Sequence, residues 1–208
     1  MLQEDVAYVL IPSCPAIDAA GSASFALRLR SVILALIPQK PRGWILDLRF
    51  NGGGNLWPML VGLRPLLGVG VIVTFTQASA ILRSVTLADG IVSMNGVAQL
   101  SVEAAKVTID APRIALITGP WTMSSGEIVA AAFHGDPRAR RFGEPTAGMT
   151  TGTDFFPLFD GSTLNLPLDQ VADRHGVTFH GAIKPEVLIE SRDWPSRTDA
   201  VTARALAW

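Results

Sequence analysis

Cysteine is almost absent from this 208-residue sequence: Cys14 stands alone, so no disulfide can form within the chain and a disulfide-stapled scaffold is excluded. Charge is scarce as well, at 17% of residues, with 17 basic against 18 acidic side chains and a net charge of -1. The longest basic run is Arg140-Arg141, too little for the electrostatic footprint of phosphate-backbone binding, and nucleic acid is not an expected partner. Long apolar runs are missing despite a mean hydropathy of +0.34. The stretches 32–37 and 128–133 fall far short of the roughly 20 residues that cross a bilayer, so no membrane span is expected. Met1-Leu2-Gln3-Glu4-Asp5 carries acids where a signal peptide carries bases, so no export signal is expected.

What is present is apolar: 49% of residues are hydrophobic, enough to bury a sizeable core in a single domain spanning 1–208. Val6 to Ile11 reads as a buried strand. Ser24 to Ile37 changes to helical spacing, with Phe25, Leu29, Val32, Ile33 and Leu36 on one side and Pro38 as the stop. Trp44 to Leu48 returns to strand character, completing a β-α-β unit of the kind that favours a parallel sheet. Trp57 to Leu67 reads as a helix that Pro65 kinks or ends, and Val69 to Phe75 as a buried strand. Asp89-Gly90 and Asn95-Gly96 mark hairpins, an antiparallel insertion in an α/β chain. Arg113 to Thr118 resumes the core pattern, Gly126 to Phe133 reads as a helix, and strands are expected around Arg141, 155–159 and 163–168. A terminal helix over 196–206 is expected with Ser196 as its cap.

Two loops carry the chemistry. In Asp47-Leu48-Arg49-Phe50-Asn51-Gly52-Gly53-Gly54, three glycines between a strand and a helix let backbone N–H groups converge on an anion. A tight turn without a ligand explains the glycines equally well, and no phosphate-loop spacing accompanies them. In Thr118-Gly119-Pro120-Trp121-Thr122-Met123-Ser124-Ser125-Gly126-Glu127, a serine at a strand-to-helix junction has an exposed hydroxyl beside free N–H groups at a helix N-terminus. That suits a nucleophile, and it also suits a simple helix cap.

Together with Phe142-Gly143-Glu144-Pro145-Thr146-Ala147-Gly148, Ala172-Asp173-Arg174-His175-Gly176 and Ile183-Lys184-Pro185-Glu186, in that order, the two loops give the chain a family likeness over about residues 6–190. It resembles the S41 serine peptidases, the family of the C-terminal processing proteases and tricorn protease. The resemblance implies a ClpP/crotonase-like α/β fold, with Ser124 as a nucleophile forming an acyl-enzyme. It also implies an oxyanion hole from the Ser125 backbone and the Gly52–Gly54 loop, from Gly53 with Gly54 as the alternative. Arg49 and Asn51 would hold that loop, with Asp47 and Glu127 structural. Neither metal nor cofactor is implied, and the substrate would be a polypeptide with an extended or unfolded end.

One departure from the family pattern concerns the general base. Where the processing proteases place a lysine this chain has Met149, and Thr153 stands at the position of the polar residue that supports it. A thioether takes no proton at neutral pH. Tricorn-like members use a histidine from a helical segment before the core, and the expectation here is a core without that segment. Among the three histidines, His134 reads as a helix C-terminal cap and His175 as a turn residue, while His180 lies near the position of a base-supporting carboxylate and is the internal candidate. Lys184 reads as a strand-edge charge. The expected activity is therefore peptide-bond hydrolysis. The alternatives are a catalytically weak peptide-binding module and, on shared fold alone, an acyl-CoA enzyme of the crotonase type. Five tryptophans and low charge are compatible with an oligomer interface, and exported relatives are compatible with a periplasmic or extracellular site.

Overall fold

The computed structural model describes residues 5–78, 80–110, 113–190 and 198–208. Its framework is a five-stranded parallel sheet in the order β1-β2-β7-β8-β11, where β1 is Val6–Leu10, β2 Gly43–Asp47, β7 Ile114–Thr118, β8 Ala139–Gly143 and β11 Val187–Leu188. Alternation along each strand sends side chains to two faces. Ala7, Val9, Trp44, Leu46, Ile114 and Leu116 enter the main core, while Val6, Ile45, Ala115, Ile117 and Phe142 form a smaller core on the reverse face.

Three helices cover the main-core face: α1 (Ala19–Leu36), α2 (Leu56–Leu67) and α3 (Ser125–Ala132). Beyond them lies a six-stranded antiparallel sheet in the order β6-β5-β4-β3-β10-β9. Its strands are β3 Gly70–Gln77, β4 Ala80–Ala88, β5 Ile91–Met94, β6 Val97–Ser101, β9 Thr151–Pro157 and β10 Thr163–Asp173. The hairpin turns at Asp89-Gly90 and Asn95-Gly96 are there. The antiparallel part is larger than an insertion, because β3, which reads as one more core strand, pairs with β4 and β10 and so belongs to the second sheet.

Local chemistry explains the element ends. α1 begins five residues before the expected Ser24, because Asp18 caps it and accepts the Gly21 N–H at 2.7 Å. Asn55 caps α2 through the Trp57 N–H. Pro65 sits inside α2, which runs on to Leu67 before Gly68 closes it at φ +79°. With the turn that follows, Ala19–Gln39 is long and apolar enough by length and composition to cross a membrane, which the apolar runs alone do not reveal. In this fold Ala26, Leu29 and Ile33 of that helix are buried in the main core. Ser196 lies outside the described residues, and the terminal helix α4 (Ala200–Leu206) is capped instead by Asp199, which accepts the Thr202 N–H at 2.9 Å.

α4 is fastened to the parallel sheet by a buried cation. Arg49, just past β2, donates to Asp47 at 2.6 Å and to Asp199 at 2.6 Å, with all three side chains nearly sealed from solvent. Tyr8 adds a 2.6 Å hydrogen bond to Asp47, and burial followed by that bond raises its pKa, so it stays an O–H donor. Arg49→Ala leaves two buried carboxylates without their cation and is expected to cost about 3–5 kcal/mol, measured by urea unfolding.

Candidate functional site

β2, β7 and β8 are neighbours in a parallel sheet, so the segments after their C-terminal ends emerge side by side, where open α/β sheets carry their sites. These segments are the glycine loop 48–55, the serine loop 119–124 and the loop 144–150. Cross-links fix their relative positions. The Met123 N–H bonds the Asn51 carbonyl at 2.9 Å, and the Thr122 hydroxyl bonds the Leu48 carbonyl at 2.9 Å. Gly126 is packed so tightly against Asn51 that a Cβ there would overlap the Asn51 carbonyl oxygen.

Ser124 lies at the junction with φ +51° and ψ -121°, a conformation that costs a non-glycine residue about 1–3 kcal/mol. Glu127 holds it there. This fully buried carboxylate accepts four hydrogen bonds: the Ser124 N–H at 2.9 Å, the Thr146 hydroxyl at 2.5 Å, the Gly148 N–H at 2.8 Å and the Met149 N–H at 2.7 Å. Ser124 and Met149 share one oxygen, Oε2, so position 149 is held beside the serine.

The two serines differ in how their hydroxyls are used. The Ser124 side chain is exposed and stands in a capping-box arrangement with Glu127, whose backbone N–H faces it while donating to the Ser124 carbonyl at 2.8 Å. The Ser125 hydroxyl is buried and donates to the Gly54 carbonyl at 2.7 Å.

In the glycine loop the Gly52 N–H is taken by the Ser13 hydroxyl at 2.8 Å and the Gly53 N–H by Asn51 Oδ1 at 3.0 Å. The Gly54 N–H has no hydrogen-bond partner among the described residues, nor has the Ser125 N–H at the first turn of α3. Gly53, at φ +94°, lies directly against Ser124 and Ser125, and Gly54, at φ +96°, lies against the Cys14 backbone. Asn51 does hold the loop, its amide also reaching the Pro12 carbonyl. Arg49 acts at a distance, through Asp47 and Asp199.

No basic side chain hydrogen-bonds the Ser124 hydroxyl among the described residues. Met149 is half exposed and Thr153 lies on β9. His180 is exposed and makes no hydrogen bond to Ser124, although its neighbours flank the third loop: the Thr150 hydroxyl bonds the Gly181 carbonyl at 2.9 Å, and Gly148 abuts Ala182. His134, at the far end of α3, pairs with buried Asp173 at 2.5 Å. Burial opposes ionisation of Asp173, but the bond from His134 and the N–H groups of Val177 and His175 outweigh it and lower its pKa. His175 packs against Gly135, and Lys184 is exposed. Thr146 and Ser13 are the site residues that single-residue reading passes over. Thr146 stands inside a recognisable motif, whereas nothing local marks Ser13.

A sequence model of Peptidase family S41 matches residues 5–189. The chain belongs to this family. Among relatives of this S41 peptidase, the nisin-resistance protein of Lactococcus lactis subsp. lactis is 38% identical over 132 residues, 64% of this chain and 41% of that protein. A lipoprotein from Streptococcus agalactiae superposes with a TM-score of 0.75 at 29% identity, over 91% of this chain and 63% of that one. The photosystem II D1 C-terminal processing protease shares the fold, with a TM-score of 0.69 at 21% identity over 96% of this chain and 46% of that one. The chain thus spans between 41% and 63% of the length of these relatives. The family is one of serine peptidases, and the expected ClpP/crotonase-like α/β fold is the one observed.

Gly53→Ala tests the loop contact. The new Cβ would lie 2.9 Å from the Met123 carbonyl and from the Ser124 Cβ, at a φ that L residues rarely adopt. A loss of about 1–3 kcal/mol is expected by thermal melting.

Proposed function

We propose that this S41 core hydrolyses peptide bonds through an acyl-enzyme on Ser124. The observation that carries this reading is the strained, exposed Ser124, whose hydroxyl donates no hydrogen bond among the described residues while its backbone is gripped by buried Glu127. Ser124 Oγ attacks the carbonyl carbon of the scissile bond. The carbonyl oxygen, now negative, is stabilised by N–H groups at the N-terminus of α3 and in the glycine loop: Ser125 with Gly54, or with Gly53 once it lets go of Asn51. The Ser124 hydroxyl proton is carried through water to the departing nitrogen, so the C–N bond breaks with a neutral amine leaving and the acyl-enzyme remaining; water then adds to the ester carbonyl and its proton returns to Ser124 Oγ as the acid is released. Glu127 is a positioning residue here, because all four of its bonds go to groups that set the loops and none to a reacting atom.

A polypeptide substrate follows from the family, and nisin is the first peptide to test, because a relative bears its name in connection with resistance. The second reading, a peptide-binding module with little turnover, is favoured by the lack of any basic partner on the Ser124 hydroxyl among the described residues.

A fluorophosphonate probe separates the two. Ser124→Ala is expected to abolish labelling, while Ser125→Ala, which loses only the hydroxyl bond to Gly54, keeps it to within about tenfold. Labelling that depends on Ser125 instead would overturn the assignment. Met149→Lys, which places an amine at the position beside Ser124, is expected to raise the labelling rate at pH 8 to 9 by about tenfold or more if the base is what the core lacks. A rate unchanged by that substitution would mean that activation is already supplied by another group.

A further inference from the structure

The hairpin of β9 and β10 is built unlike the rest of the chain. Every residue from Thr153 to Leu168 is exposed, yet the ribbon carries Phe155, Phe156, Leu158, Phe159, Leu164 and Leu166. Phe155 is 69% exposed and the tip residue Phe159 fully so. Directly opposite partners share a face, so Phe156 and Leu164 stand together on one side and Phe155 with Asn165 on the other. Apolar side chains on both faces of a projecting ribbon mark an interaction surface.

Two features decide what fits it. β9 is the edge of the six-stranded sheet, with β10 as its only strand partner among the described residues. The Leu158 N–H bonds the Ser162 carbonyl at 2.8 Å at the tip, and the Val171 N–H bonds the Thr150 carbonyl at 3.1 Å at the base. Antiparallel ladders alternate bonded and non-bonded pairs, and from both ends the alternation makes Phe156/Leu164 and Asp154/Leu166 the bonded pairs. Thr151, Thr153 and Phe155 therefore turn their N–H and C=O groups outward, to the open edge. That edge starts two residues after Met149, whose N–H shares Glu127 Oε2 with the Ser124 N–H, so it leads away from the serine. Met149, just before the edge, is half exposed, and Trp121, 70% exposed, precedes Thr122, whose carbonyl takes the Ala147 N–H at 3.0 Å.

We infer that the open edge of β9 is the docking strand for the polypeptide substrate: an extended, apolar chain adds to the six-stranded sheet, bonded through the outward backbone groups of Thr151, Thr153 and Phe155. Backbone pairing tolerates many sequences, while the flanking Phe and Leu side chains select apolar ones by burying them. Charged residues would lose hydration there with little to compensate them, since the ribbon offers only Asp154 and Asp160. The inference rests on Ser124 being the reacting residue, because the edge is argued as its approach path.

The test uses the whole chain carrying Ser124→Ala, which prevents turnover, and measures binding of fluorescein-labelled β-casein by anisotropy. Adding Phe155→Pro removes one outward N–H and breaks no bond to β10; binding is expected to weaken about tenfold. Phe155→Val keeps both the N–H and the apolar side chain, and is expected to stay within about threefold. Thr153→Pro repeats the measurement at the next outward position, and melting curves verify that each variant is folded. Absence of casein binding to Ser124→Ala, or equal binding by the proline variants, overturns the inference. So does sedimentation showing that Phe155→Pro abolishes self-association while casein binding persists, which would make the ribbon an interface between copies. Fluorophosphonate labelling of the chain with native Ser124 is scored separately. Edge-dependent casein binding without labelling refutes the nucleophile and leaves the docking strand standing, and labelling without edge dependence does the reverse.

Discussion

A single buried carboxylate organises this molecule's chemistry. Glu127 gathers donors from the serine loop and from the loop after β8, so the strained backbone of Ser124 and the position of Met149 are set by the same group. Four donors on one carboxylate compensate its desolvation, and the low dielectric around it makes each bond hard to break. Strain at Ser124 persists because these bonds, together with the contact of Gly53, leave the backbone no other path. The arrangement holds a hydroxyl outward beside free N–H groups, which is what attack on a carbonyl requires.

Glu127 can act this way only because the neighbouring parallel strands β7 and β8 deliver their loops to one edge, beside that of β2. A parallel sheet covered on both faces imposes that alignment, and the cover is asymmetric. Helices α1 to α3 and the second sheet bury one face. On the other, α4 is pinned by Arg49 between Asp47 and Asp199. The cation that secures the C-terminal helix thus belongs to the glycine-loop segment, linking the fold's closure to the site.

The second sheet has the opposite character. Its inner strands contribute Ile72, Val73, Val85 and Val171 to the core, while its outer ribbon leaves the molecule altogether and remains apolar. Edge strands are usually blunted by charge, proline or a cover, because an open ladder recruits other chains. In a peptidase that recruitment is useful, since an extended chain is the form in which a scissile bond can be presented to a serine.

Read from its residues, the chain shows its parallel β-α-β framework, its hairpins and both loops, because periodicity and glycine placement are local properties. Motif order was enough to indicate the family, with Ser124 and the Met149 departure visible in it. Whether β3 joined the parallel sheet or its antiparallel neighbour was not legible, since a buried strand has the same pattern in either. Apolar spacing does not mark the start of α1, whose first turn is carried by Asp18, Ala19 and Gly21, and the cap of α4 is the bond of Asp199 to the Thr202 N–H. Tertiary structure alone decided that the Ser125 hydroxyl bonds the Gly54 carbonyl, that Asn51 occupies the Gly53 N–H, and that Glu127 is a hub. Each of these depends on which donors meet which acceptors across loops distant in sequence, and such pairings exist only once the sheet has brought its strand ends together.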